Sequence, residues 1–376
     1  MPTASSATAG PRVWVLTSKK LGDNAQVLAI AQDLGWPYEA KTLVYTGLNH
    51  FHFRVFGPSL RKVALERSSQ LSPPWPDVVL TVGRRAVPVA LWIRQQSRGA
   101  TKLVQVGQSR VKLDRFDLVV ANPQYHLPPH PRLVRLELPL LYGNAEAIAA
   151  AAATWRERFA TLPRPWTALF VGGSTAPFAL DTMAVRDLMG MTHRLLTRDG
   201  GSLLVTTSRR TPSDAADFIR DAMPAQGFFH RWSPNGASNP YLGMLGLADR
   251  FLVTGESISM LVEVVRQGKP LAIYPLPERT LSFRLRVRRL LQDALLPQRH
   301  DTNAPRSLRE RCGDFLVRCG ALEYRRDFTL FHRRLIDRQL AVWAGEPFPQ
   351  VTNPPPDDLP FVVERIRALF PSVARA

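Results

Sequence analysis

Residues 167–175 read Thr-Ala-Leu-Phe-Val-Gly-Gly-Ser-Thr, and residues 250–257 read Arg-Phe-Leu-Val-Thr-Gly-Glu-Ser. In each, an apolar run stops at glycines and hydroxyls and a stretch with helical spacing follows. An apolar run of this length without polar alternation predicts a strand covered on both faces. The unit recurs along the chain. Strands are predicted at 12–17, 41–45, 77–82, 102–106 and 117–121, then at 167–171, 201–206, about 228–229, 250–253 and 270–274. Helices are predicted after most of them: from Asn24 to Gly35, up to about Gln96, from Asn144 to Arg164, over 183–198, from Ser213 and over 259–267. Strands alternating with helices imply an α/β fold with parallel sheets.

Two doubly wound, Rossmann-like halves are the economical arrangement, with ligands at the carboxyl ends of the strands in a central cleft between the halves. The expected division is a disordered stretch over 1–10, an acceptor-side domain over 11–164 and a second domain over 165–335. A helical tail over 336–376 is expected to pack back on the first domain. A length of 376 residues suits two domains.

Composition narrows the function. Forty-nine Lys and Arg against 31 Asp and Glu leave a net charge of +18, which favours an anionic partner. Residues 278–334 concentrate the excess, with fourteen arginines, and an amphipathic helix is predicted around 281–291. Two cysteines cannot staple a chain this long. No apolar run approaches a membrane span, and residues 1–10 lack the charged start and apolar core of a secretory leader. The glycine patterns of dinucleotide and P-loop sites are missing, as are the G-x-S-x-G elbow and zinc-ligand spacing.

The loops at the predicted strand ends carry the candidate chemistry. Gly172-Gly173-Ser174-Thr175 lets backbone approach a ligand, or is simply a tight turn. Thr206-Thr207-Ser208-Arg209-Arg210-Thr211 suits a diphosphate, or is a solvated basic loop. Asn239-Pro240-Tyr241 starts a small helix, or lays a ring over a base. In Thr254-Gly255-Glu256-Ser257-Ile258-Ser259-Met260, with Glu263 a turn later, the serines cap a helix or receive phosphate, and a carboxylate suits a ribose diol. Ser18, Lys19, Asp23, Asn24 and Gln26 crowd the first strand-to-helix loop; Asp23 is a helix cap or a general base. Residues 50–56, His-Phe-His-Phe-Arg-Val-Phe, read as a strand with a polar face or a loop for lipid headgroups.

These loops, taken in order, resemble the ELM-type family. The segments are WVLTSKKLGDNAQVLAIAQDLGWPYEAKTLVY, VGGST, TTSRRTP, NPY and VTGESISMLVEVVRQGKPLAIYPL, and the likeness spans roughly 12–276. Bacterial members are usually described as glycosyltransferases of GT-B architecture. A more distant likeness reaches the lipid-linked muramyl N-acetylglucosaminyltransferase. The resemblance implies a GT-B-like fold and a nucleotide-sugar co-substrate rather than a resident cofactor, with no metal. It places Gly172, Gly173, Ser174, Ser208, Arg209 and Arg210 at the diphosphate. Glu256, Ser257, Ser259, Met260 and Glu263 fall at the nucleoside and sugar, with Thr175, Thr207, Asn239, Tyr241 and Gly255 as further donor contacts. Relatives often carry Asp where this chain has Glu256. They also often show Pro-Glu-His-Asp where this chain has Pro123-Gln124-Tyr125-His126, so the resemblance carries no acceptor-side role onto that loop.

Asp23 would be the base, and Ser18, Lys19, Asn24 and Gln26 the acceptor side. The implied acceptor is lipid-linked or lipopolysaccharide-like, reached from the cytoplasm at the inner face of the membrane, whose anionic surface is a further expected partner. A nucleic-acid partner is not expected, because no such motif is present. The alternative is an organelle-fission adaptor that kept the fold and lost the chemistry.

Overall fold

A computed structural model describes residues 10–19, 21–46, 57–108, 111, 113–122, 124–125, 127–234, 238–278, 283–296, 307–318, 322, 324, 326–353 and 355–371. The run 50–56, read above as a strand with a polar face or a lipid loop, and residues 1–9 of the expected disordered start lie outside them. The chain divides into two units. One comprises Met1–Leu141, Val287–Asp327 and Asp357–Ala376; the other comprises Tyr142–Arg286 and Phe328–Pro356.

The first unit holds β1 (Val13–Thr17), α1 (Leu21–Leu34), β2 (Tyr38–Thr42), β3 (Val78–Val82), α2 (Val87–Gln96), β4 (Lys102–Val106), β5 (Leu118–Ala121) and β6 (Leu133–Arg135). Its sheet has the order β2-β1-β3-β4-β5-β6, with every pair parallel. The central strands are buried because their residues are almost all apolar, whereas β2, Tyr-Glu-Ala-Lys-Thr, lies at an edge and is mostly exposed. The second strand was expected at 41–45. The strand instead runs 38–42, so only Lys41 and Thr42 of that stretch pair with β1; residues 43–45 leave the sheet, and Tyr45 forms an antiparallel bridge with Val63.

The second unit begins with α3 (Ala145–Ala160), capped by the Asn144 side chain. There follow β7 (Trp166–Val171), α4 (Thr182–Asp199), β8 (Ser202–Thr207), α5 (Ser213–Asp221), β9 (Gly227–His230), α6 (Tyr241–Leu247), β10 (Arg250–Thr254), α7 (Ile258–Arg266) and β11 (Leu271–Tyr274). Along the chain there follow α8 (Phe283–Leu295), which passes into the first unit at Val287, α9 (Leu308–Arg318) in the first unit, and then α10 (Phe328–Asp337), β12 (Val342–Trp343) and α11 (Leu359–Arg367). The second sheet has the order β12-β11-β10-β7-β8-β9, again parallel.

The boundary expected at 164 lies instead after Leu141, because α3 packs on α6. Gly243 permits this: a Cβ there would press into the Trp155 ring. The expected tail is also divided. α10 and β12 belong to the second unit. α11 belongs to the first, where Asp358 Oδ2 accepts the Glu137 amide at 2.6 Å and Phe370 meets Trp36 edge-on. Buried Gln124 accepts both Nε and Nη2 of Arg326 through Oε1, stitching the segment before α10 onto the loop after β5.

Candidate functional site

In each sheet the chain winds outward from one strand in both directions. The topological switch therefore lies between β1 and β3 in the first unit, and between β7 and β10 in the second. Loops leaving the carboxyl ends diverge there and open a crevice.

In the second unit, Glu256 draws three of the candidate loops into one piece. Its side chain is 0 % exposed. Oε1 accepts the Gly173 amide at 2.6 Å and lies 3.6 Å from Arg210 Nη2. The Gly172 amide donates to Thr254 Oγ1 at 2.8 Å, and Ser208 Oγ donates to the Gly172 carbonyl at 2.7 Å. Thr211 Oγ1 also hydrogen-bonds the Gly172 carbonyl, and Arg210 Nη1 donates to Thr175 Oγ1. Both glycines are required by close approach. A Cβ on Gly172 would overlap the Glu256 carboxylate, and one on Gly173 would overlap the Arg210 backbone. Burial pushes the Glu256 carboxyl up, while the Gly173 amide, Arg210 and the Thr254 hydroxyl pull it back. Glu256 Oε2 is buried without a hydrogen-bond partner among the described residues.

This geometry corrects part of the sequence reading. The Gly172 and Gly173 amides are already engaged by the wall itself, so they do not face a diphosphate as open donors. Glu256 is walled in rather than turned toward a ribose. Ser174 Oγ accepts the Leu180 amide, Thr207 Oγ1 accepts the Trp232 amide and Asn239 Oδ1 accepts the Tyr241 amide. Tyr241 packs its ring on Phe170 at 4.6 Å and donates its hydroxyl to Glu263 Oε2. Burial pushes both the Tyr241 phenol and the Glu263 carboxyl up.

Three features stay open. Ser257 occupies the cap position of α7 but makes no side-chain cap bond, so the serine-cap reading is not what the structure adopts. The first amides of α7 thus keep the partial positive charge of a helix start. Ser259 is exposed and Met260 half-buried at that same start. Arg209 is exposed, and no ion pair engages it among the described residues.

The sequence reading missed His332. It is buried on α10, and its Nε2 donates to the Gly255 carbonyl at 2.6 Å, bracing the loop before α7. Helical spacing of Phe328, Phe331, His332 and Leu335, all buried, was the available signal. Lys269, read only as part of a turn, donates to the Gly246 and Ala248 carbonyls at 2.6 and 2.7 Å and closes the end of α6.

In the first unit, Asp23 and Asn24 lie inside α1 rather than before it, so neither is its cap. Asn24 accepts the Ser18 amide at 2.9 Å and donates to the Ser18 carbonyl at 2.6 Å, which pins the turn out of β1. Asp23 is half-buried, with Oδ2 3.8 Å from where a Cβ on Gly83 would stand, at the β1/β3 switch. Lys19 is exposed. Gln26 is buried, and its Oε1 lacks a partner among the described residues. Burial raises the Tyr125 phenol, Arg326 and Arg84 oppose the rise and Asp23 adds to it, so these four share one electrostatic neighbourhood.

Comparison with known proteins adds the following. A Rickettsia prowazekii protein described as uncharacterized protein RP120 is 22% identical over 319 residues, 75% of this chain and 89% of that protein. The Arabidopsis thaliana mitochondrial fission protein ELM1 is 26% identical over 221 residues, 53% of this chain and 51% of that protein. Among solved structures, MurG of Acinetobacter baumannii aligns over 95% of this chain and all of its own, with 14% identity and a TM-score of 0.41. A glycosyltransferase from Rickettsia africae aligns over 87% and 97%, with 11% identity and a TM-score of 0.44. At such scores these two likenesses decide nothing about this chain, whose fold rests on its own strand order. The family model described as mitochondrial fission ELM1 matches residues 22–311. This chain belongs to the mitochondrial fission ELM1 family.

Proposed function

We propose that this protein transfers a sugar from a nucleotide-sugar donor to a lipid-linked or cell-envelope glycan acceptor, with the donor held by its second unit. One observation carries the reading. A fully buried carboxylate ties the glycine, arginine and serine loops into a single wall beside an uncapped helix start, at the sheet's switch point. A helix start with unsatisfied amides favours phosphate oxygens. Arg209 supplies an uncommitted positive charge from the loop that also carries Arg210. Fixed donors and charges of this kind stabilise a leaving diphosphate as its negative charge grows. Ser259, Met260, Tyr241 and Glu263 would line the nucleoside and sugar end.

Asp23 would take the proton from the acceptor hydroxyl, opening the attack on the anomeric carbon. An acceptor of this chemistry places the working position at the cytoplasmic face of a membrane. Among the described residues no helix is long and apolar enough to cross one, so attachment there would be peripheral.

A second reading has one point in its favour: the family is named for mitochondrial fission, which suits an adaptor without chemistry. Melting curves with nucleotides and nucleotide sugars separate the two. A donor at a hundred times its dissociation constant stabilises the native state by about 2.7 kcal/mol. A rise in Tm with at least one nucleotide sugar is the expected result. Unchanged melting with all of them would leave the adaptor standing.

A further inference from the structure

Nine large hydrophobic side chains are exposed among the described residues, and five of them, Val287, Leu290, Leu291, Leu308 and Phe315, stand on α8 and α9. The two helices touch: Gly313 of α9 lies so close to the Leu295 carbonyl of α8 that a Cβ would overlap it. α9 is held by its own capping box, in which the Ser307 amide donates to Glu310 Oε2 at 2.7 Å and the Glu310 amide to Ser307 Oγ at 3.3 Å. The exposed residues are therefore set out on formed helices rather than on loose chain.

Their spacing is informative. Val287, Leu290, Leu291 and Ala294 follow i, i+3, i+4, i+7, which places all four on one side of α8. All four are exposed, with Leu290 at 69 %. An amphipathic helix in a water-soluble core turns such a stripe inward; here it faces out. Arg286 and Arg288 flank Val287 in sequence and so fall at the two borders of the stripe. α8 carries four arginines, at 284, 286, 288 and 289, against the single acid Asp293, and α9 adds exposed Arg309 and Arg311. An apolar stripe bordered by long cationic side chains matches a bilayer interface, where the aliphatic groups enter the acyl boundary and guanidinium groups reach anionic headgroups. A protein groove would satisfy the leucines but would also have to match a helix with an excess of positive charge.

We infer that α8 docks this protein onto an anionic lipid surface by its Val287–Leu290–Leu291 stripe. The inference does not depend on the donor site, and it places membrane contact on an element other than the 50–56 run.

Flotation of the full chain with phosphatidylcholine vesicles, with and without phosphatidylglycerol, tests it. The wild type should float with the phosphatidylglycerol vesicles, release as salt rises, and stay behind with phosphatidylcholine alone. The Leu290→Ser/Leu291→Ser double variant should lose binding by about tenfold or more, since each buried CH₂ adds to insertion. Its Tm should not change, because both residues are exposed. Arg286→Gln/Arg288→Gln should weaken binding independently of the apolar face, and Leu65→Ser, at an exposed leucine outside the two helices, should leave it unchanged. Failure of the wild type to float, or flotation of both double variants like the wild type, overturns the inference. So does a wild-type dimer in sedimentation that the leucine substitutions split, which would make the stripe a contact between two copies.

Discussion

At the carboxyl edge of the second sheet, most candidate side chains are tied to a neighbour, and those left open cluster at the start of α7 and at Arg209. At the corresponding edge of the first sheet, Asp23 sits half-buried beside a glycine in a less crowded corner. Both edges lie at a switch point of the same parallel topology. The contrast is in rigidity. Glu256, Arg210, Ser208 and the two glycines form a wall that leaves no room for a methyl group, whereas the space beside Gly83 admits a Cβ at 3.8 Å. A ligand group that is always the same, such as a diphosphate, is served by a fixed wall. A base that must reach a hydroxyl is served by an accessible one.

The comparison can be broken most directly at Asp23. Asp23→Asn should lower turnover by about 10²–10⁴-fold, the usual contribution of a general base, with donor affinity nearly intact. Wild-type turnover measured for that variant would remove the base and with it the division of labour. Next in size is Gly173→Ala, whose methyl meets backbone that cannot step aside; about 3 kcal/mol of stability should go, read as a fall in Tm. Gly83→Ala should cost less, about 1 kcal/mol or slightly more, because only its positive φ of 70° opposes the change. Equal losses at the two glycines would erase the difference between the edges.

Glu256 gives a pH test. Burial holds its folded-state pKa above the ordinary 4.5, so the folded protein binds that proton more tightly than the unfolded chain. Its contribution is fully present below the unfolded value and is lost as pH rises through the folded one. Glu256→Gln should flatten that stretch of the stability curve while still accepting the Gly173 amide. Glu256→Ala should cost about 1–3 kcal/mol, most at low pH, since a buried N–H is then left without a partner. An unchanged pH profile in the glutamine variant would mean the carboxyl is not the group responsible. The smallest effect belongs to Arg209→Ala. Donor affinity, measured by calorimetry, should fall about tenfold with Tm unchanged, because no ion pair engages this exposed side chain among the described residues. Arg210→Ala should lower both. Equal behaviour of the two arginines would end the distinction between contact and scaffold.

Much of this was legible from residue order. Apolar runs located nearly all the strands, and the glycine, arginine and serine loops were recognised at their ends. Two helices carry local signals beyond those runs and loops. The Ser-Leu-Arg-Glu capping box of α9 and the Phe-x-x-Phe-His-x-x-Leu spacing of α10 were available and unused. β6 and β12, at three and two residues, are too short to show a period.

The amino-acid sequence alone determined the layered parallel architecture, because strand burial depends on local runs of apolar side chains and loop chemistry on local composition. It also settled membership of the family, which is carried by motifs. Only the tertiary structure decided which hydroxyls, amides and carboxylates are already engaged by the protein and which remain for a ligand. That partition depends on distances between segments such as 172 and 256, which no local pattern encodes. The same holds for His332 under Gly255, for α3 docking on α6, and for the leucine stripe of α8. A helical period says that a stripe exists, but only the packing of neighbouring elements says whether anything covers it.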